Sequence, residues 1–167
     1  MTDALSPNHP VALRLVLQEN LDEMLTVIDA MAPGEIDARL DGDSWSVREI
    51  LLHVIHSERW LQPQLLAIRR TVAPALSVPP DDSVTLPSPD TEPDLNELRW
   101  ALNAVREGTE RLLDGLSAAQ LREPADLPID EAGDDASVDV SFRTMLLTAA
   151  DHQLFHVRQL QQTLGRR

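Results

Sequence analysis

Ser46-Val47-Arg48-Glu49-Ile50-Leu51-Leu52-His53-Val54 is written for the start of a helix. Ser46 and Glu49 spell a capping box, in which the serine oxygen accepts from the third helical N–H and the glutamate reaches back. Val47, Ile50, Leu51 and Val54 then fall on one face, and Leu61, Leu65 and Ile68 continue that face to about Thr71. A neighbouring stripe at the same spacing carries Glu49, His53, His56 and Trp60. Pro63 should kink the helix one turn beyond Trp60.

Upstream, Pro10 to Met31 repeats the pattern. Pro10 suits a first helical position. Leu13, Val16, Leu17, Asn20, Met24, Val27, Ile28 and Met31 share a face, with the polar Asn20 at its centre. Ala32-Pro33-Gly34 ends that helix. His9 sits just before it and reads as a frayed terminus.

Downstream, residues 72–93 form a connector with prolines at 74, 79, 80, 87, 89 and 93, so it is expected to be extended. Its length bears on the topology. A helix of about 24 residues is roughly 36 Å long. About 20 extended residues reach roughly 60–70 Å. The connector can therefore cross the whole bundle and let helices two and three run parallel.

Helix three is expected over Asp94 to Leu116, on the stripe Leu95, Leu98, Leu102, Val105, Thr109, Leu112, Leu113 and Leu116. Ser117-Ala118-Ala119-Gln120 could cap a short extra helix. Glu123 to Asp139 reads as an acidic loop, with room for a short extended piece at Val138-Asp139-Val140. Helix four is expected from Ser141 to Leu164, with Gly165 as its C-cap and Arg166-Arg167 favourable beyond it. Its inner face reads Phe142, Met145, Ala149, His152, His156, Gln159, Leu160 and Thr163. No convincing run of alternating strand residues appears, so the fold class is all-α: a four-helix bundle with a long crossover between helices two and three.

Composition bounds the function. At 167 residues the chain reads as one domain, residues 1–167, long enough for a real core. A net charge of −14 makes nucleic acid and anionic membrane poor partners. No apolar run approaches the roughly 18–20 residues that span a bilayer. Met1 to Pro7 lacks a signal peptide's basic flank and apolar core, so a cytoplasmic location is expected. Cysteine, lysine and tyrosine are absent, which excludes thiolate ligands, Schiff bases and tyrosine acids.

The chemistry lies in three histidines. His152 and His156, four apart in Asp151-His152-Gln153-Leu154-Phe155-His156, share one helix face. His53 lies on the second helix. A bundle can bring all three together, and three imidazoles with an open position are a common metal site. Hydrogen-bonded core histidines are the plain alternative. No His-Glu-x-x-His, Glu-x-x-His repeat, phosphate loop or serine elbow is present. His56 could be a fourth ligand, or simply a half-exposed polar residue. Glu49 could orient His53 or only cap its helix. Asn20 and Gln159 could line a pocket over the metal or bond each other. Trp60 and Trp100 could form a pocket wall or a dimer face, or only pack.

Trp45 to Val54 with Glu58-Arg59-Trp60 resembles the second-helix segment of the DinB-like family, which includes the bacillithiol and mycothiol S-transferases. His152-x3-His156-x2-Gln159-Leu160 resembles that family's last-helix signature. The resemblance implies a four-helix bundle with a long crossover. It also implies a divalent metal, zinc or nickel, held by His53, His152 and His156. For some members it implies transfer of a low-molecular-weight thiol onto a small electrophile. The alternatives are a metal-dependent hydrolase using bound water and a non-catalytic, stress-associated metal-binding bundle. The expected partners are a small-molecule substrate, such as a soluble thiol, and a second copy in a homodimer.

Overall fold

The computed structural model describes residues 9–32, 34–77, 85–88, 90–127 and 138–165. Among these it forms four α-helices: α1 Pro10–Asp29, α2 Val47–Val72, α3 Leu95–Leu112 and α4 Phe142–Thr163. A 3-10 turn spans Glu35–Asp37, and two short strands, β1 Pro124–Leu127 and β2 Val138–Ser141, precede α4.

Each helix starts where a side chain can satisfy its free N–H groups. The Ser46–Glu49 capping box forms in full, with Glu49 Oε2 accepting from the Ser46 N–H at 2.6 Å. Asp94 and Glu97 build a second box on α3. Ser141 Oγ accepts from the Thr144 N–H on α4. Even His9 has a role, since its Nδ1 accepts from the Val11 N–H and caps α1. α2 continues unbroken through Pro63.

α1 and α2 stand on opposite corners, each packed against α3 and α4. Cross-helix bonds give the directions. Arg48 meets Pro93, Gln62 meets Val105, and Arg69 meets Leu112, so α2 and α3 run parallel. Arg14 pairs with Asp114 and Arg99 with Asp29, so α1 and α3 are antiparallel. His53 meets His152, while Leu65 and Ile68 share a core with Phe142 and Leu146, so α4 runs against α2. The chain between α2 and α3 therefore travels the length of the bundle, as its length allows. Pro79, Pro80 and Pro89 of that connector lie outside the described residues, as do Met1–Pro7, Arg166 and Arg167.

The core has two apolar halves. One gathers Met24, Ile28, Ile50, Leu51, Val54, Leu98 and Leu102 with Val157 and Leu160. The other gathers Leu13, Leu17, Leu65, Ile68, Leu113, Phe142 and Leu146. Between them a buried polar layer draws a side chain from each helix, Asn20, Glu58, Arg106 and Gln153, which line one small cavity. Arg106 Nη2 donates to Gln153 Oε1 at 2.7 Å and to Glu58 Oε2 at 3.2 Å, and Gln153 Nε2 donates to Glu58 Oε2 at 2.7 Å. Burial raises the Glu58 carboxyl above the usual carboxylate range, with Arg106 opposing.

The fold corrects several sequence expectations. Val16 is exposed, not part of the core face of α1. α3 stops at Leu112, not Leu116, because Gly115 adopts φ +75° and the Arg69 guanidinium takes the Leu112 and Asp114 carbonyls. Ser117 to Gln120 make a capped turn and no extra helix. The expected loop from Glu123 to Asp139 contains β1, which pairs antiparallel with β2 in the register Pro124↔Ser141 to Leu127↔Val138. Residues 128–137 lie outside the described residues. Pro124 is tolerated because it opens its strand.

Candidate metal centre

His53 lies two turns into α2, and His152 and His156 lie on the antiparallel α4, one turn apart. Both helices are tied together nearby, where Glu58, five residues beyond His53, and Gln153, next to His152, bond in the polar layer. That contact leaves the histidines at the edge of the α2–α4 seam. His156 is buried, while His53 and His152 are half-buried.

The three rings converge through the same atom. His152 Nε2 lies 3.0 Å from His53 Nε2 and 3.0 Å from His156 Nε2. One nitrogen from each ring lies within 4.8 Å of the others. Nitrogens about 2.0–2.1 Å from a tetrahedral zinc stand roughly 3.3 Å apart, so the cluster has the dimensions of such a site.

Proton accounting points the same way. Gln159 Oε1 lies 2.9 Å from His156 Nδ1. An amide oxygen only accepts, so Nδ1 carries the proton and Nε2 of the neutral ring is a lone pair. A single N–H on His152 Nε2 can point at one neighbouring nitrogen but not at both. A cation at the centre satisfies all three lone pairs. Burial pushes all three imidazoles below their ordinary pKa, with the charge of His53 adding at His152. At His156, Gln159 opposes the shift, and His152 and His53 add to it. The rings are thus held neutral, as metal ligands must be.

The site has an aromatic wall. Trp45 packs on His53 with ring centroids 4.8 Å apart and lies parallel to His156 at 6.2 Å. Phe155 meets His156 edge-on at 5.1 Å. Trp45 is placed by the preceding turn, where Asp41 Oδ1 accepts from the Ser44 N–H and Arg39 bridges to Ser46. The sequence places Trp45 just before a capped helix, but only the folded turn shows that it covers the histidines.

Of the other residues singled out, Gln159 alone joins the cluster. The Glu49 carboxylate takes the Ser46 N–H and an ion pair with Arg39 at 2.8 Å, not His53. His56 Nε2 donates to the Pro87 carbonyl at 3.0 Å, which fastens the crossover to α2. Trp60 is 71 % exposed and walls no pocket over the histidines, and Trp100 is exposed as well. Asn20 does not bond Gln159; it donates to the Ala150 carbonyl at 2.8 Å. It lines a cavity of about 10 Å³ in the polar layer, far smaller than a ligand pocket.

The family model of the DinB superfamily matches residues 17–160. The chain belongs to the DinB superfamily. The match takes in all three converging histidines and Gln159. No curated protein and no solved structure matches the chain. Within this DinB-superfamily chain no helix among the described residues is long and apolar enough to cross a membrane.

Proposed function

We propose that His53, His152 and His156 hold one divalent cation, zinc or nickel, and that the protein transfers a small thiol onto an electrophile. The observation that carries this reading is the convergence of three neutral Nε2 atoms with no fourth ligating side chain beside them among the described residues. Three protein ligands leave a coordination position open, the arrangement of catalytic sites; four close it. A divalent ion held there lowers the pKa of a thiol or water taken into the open position. The chain has no cysteine, so a thiol must come from outside. Its own residues hold the rings neutral, orient His156 through Gln159 and screen one side of the site with the indole of Trp45. Family membership supports the metal-binding part of the reading and leaves the reaction open.

Elemental analysis of the purified protein should find about one zinc or nickel per chain. The loaded protein should consume a small thiol in the presence of a haloarene or epoxide, and the His53→Ala variant should not. A rate that persists without thiol would make it a hydrolase. A loaded protein that turns over nothing across a broad panel would mean that the metal serves the fold alone.

A further inference from the structure

Thr26, Thr71 and Thr109 sit within or near the ends of helices, and each hydroxyl donates to the carbonyl four residues earlier, on Asp22, Ala67 and Val105. That is the usual resting place for a hydroxyl in a helix. Ser57, in mid-α2, behaves differently. Its Oγ lies 3.4 Å from His53 Nε2, the same nitrogen that His152 Nε2 approaches to 3.0 Å. Ser57 therefore faces the point where the three rings meet. Its neighbour Glu58 is anchored in the polar layer, so this part of α2 cannot rotate to turn the hydroxyl away.

Ser57 brings a hydroxyl donor to the cluster. The converging ring nitrogens offer lone pairs, whereas a hydroxyl offers a donor. A cation on His53 Nε2 would free that donor for another acceptor, either the His53 carbonyl that a helical hydroxyl ordinarily takes or an anionic atom held beside the rings. We infer that Ser57 is a positioning residue that donates a hydrogen bond to the anionic donor atom of an exogenous ligand beside the three histidines, and so favours a bound thiolate. This rests on the metal and thiol reading above and adds to it a residue, Ser57, that positions the thiolate.

Cobalt(II) as the probe ion and 2-mercaptoethanol as the probe thiol test this without turnover. Cobalt binding is read from its visible absorption, and thiolate binding from the sulfur-to-cobalt charge-transfer band. Ser57→Ala should bind cobalt as the wild type does but bind the thiol about tenfold more weakly or worse, the effect of losing a hydrogen bond to a charged acceptor. Ser57→Thr keeps the hydroxyl and should recover most of that affinity. Equal thiol affinity in Ser57→Ala and wild type overturns the inference and leaves the metal site standing. Loss of cobalt itself in Ser57→Ala also overturns it, because Ser57 would then act on the ion. A wild-type protein that takes up no cobalt overturns the metal reading and the inference with it.

Discussion

His156 is the residue on which the site turns, because its two ring nitrogens have separate duties. Nδ1 donates to Gln159, and Nε2 faces the cluster. Removing the acceptor should free the ring to take the other tautomer. Gln159→Leu should weaken metal binding about ten- to hundredfold, the usual effect of losing a bond that orients a ligand. Gln159→Glu, which still accepts, should bind close to wild type. His152→Ala removes a ligand outright and should lose more than either, in competition with a chromophoric chelator. Equal affinities for Gln159→Leu and wild type would show that packing alone sets the ring. The histidines were legible in the sequence because a spacing of four survives any uncertainty in helix ends. Trp45 was legible only as a residue before a helix, and Ser57 left no signal, since a serine in mid-helix usually serves its own backbone. Of the expected inner face of α4, Phe142, His156 and Leu160 are buried and Met145 and Ala149 pack at the edge of the core, while Leu146, Ala150, Gln153 and Val157 are buried without having been expected. Gln153, absent from the expected face, is the buried partner of Glu58 and Arg106.

At the scale of elements, the polar layer ties α2, α3 and α4 together and sets the depth at which the histidines sit. Glu58 and Arg106 are both almost wholly buried, so removing one leaves the other as an uncompensated charge. Glu58→Ala should destabilise the apo protein by about 3–5 kcal/mol in urea melts. Replacing both partners, Glu58→Leu with Arg106→Met, should cost less than the sum of the single changes, because no orphan charge remains. If the double variant merely adds the two losses, the pair is not coupled. Ser46→Ala, at the start of α2, should cost about 1 kcal/mol through the lost cap alone. The helices were legible because their caps and apolar stripes are local. The parallel course of α2 and α3 was also legible, from the reach of the intervening chain. β1 was not, because its ladder partner lies beyond a ten-residue interval and nothing within Pro124–Leu127 announces the pairing. The end of α3 was missed for a related reason: it depends on Arg69, a side chain 43 residues away in sequence from the carbonyl it takes.

For the whole molecule, the histidines make stability depend on pH with a definite sign. Burial lowers the pKa of His53, His152 and His156 in the folded chain. The unfolded chain takes up protons near the ordinary value of roughly 6.5, before the folded one does. Their contribution is therefore fully present above about 6.5 and is lost as the pH falls through the lowered folded values. Glu58 has the opposite sign: its raised pKa favours the fold at low pH and that contribution fades as pH rises. The apo protein should thus lose melting temperature on acidification from neutral pH, and replacing His152 and His156 with Gln should flatten that slope while leaving the Glu58 contribution in place. Metal loading should steepen it, because protons and the cation compete for the same lone pairs. At neutral pH the loaded protein should melt higher than the apo protein, by an amount that grows with free metal concentration. That increment should vanish on acidification and return when the sample is brought back to neutral pH. Melting curves of loaded and apo protein across this range decide the matter. An increment that survives once the imidazoles are protonated would mean that the cation is held by the acidic surface and not by the histidines.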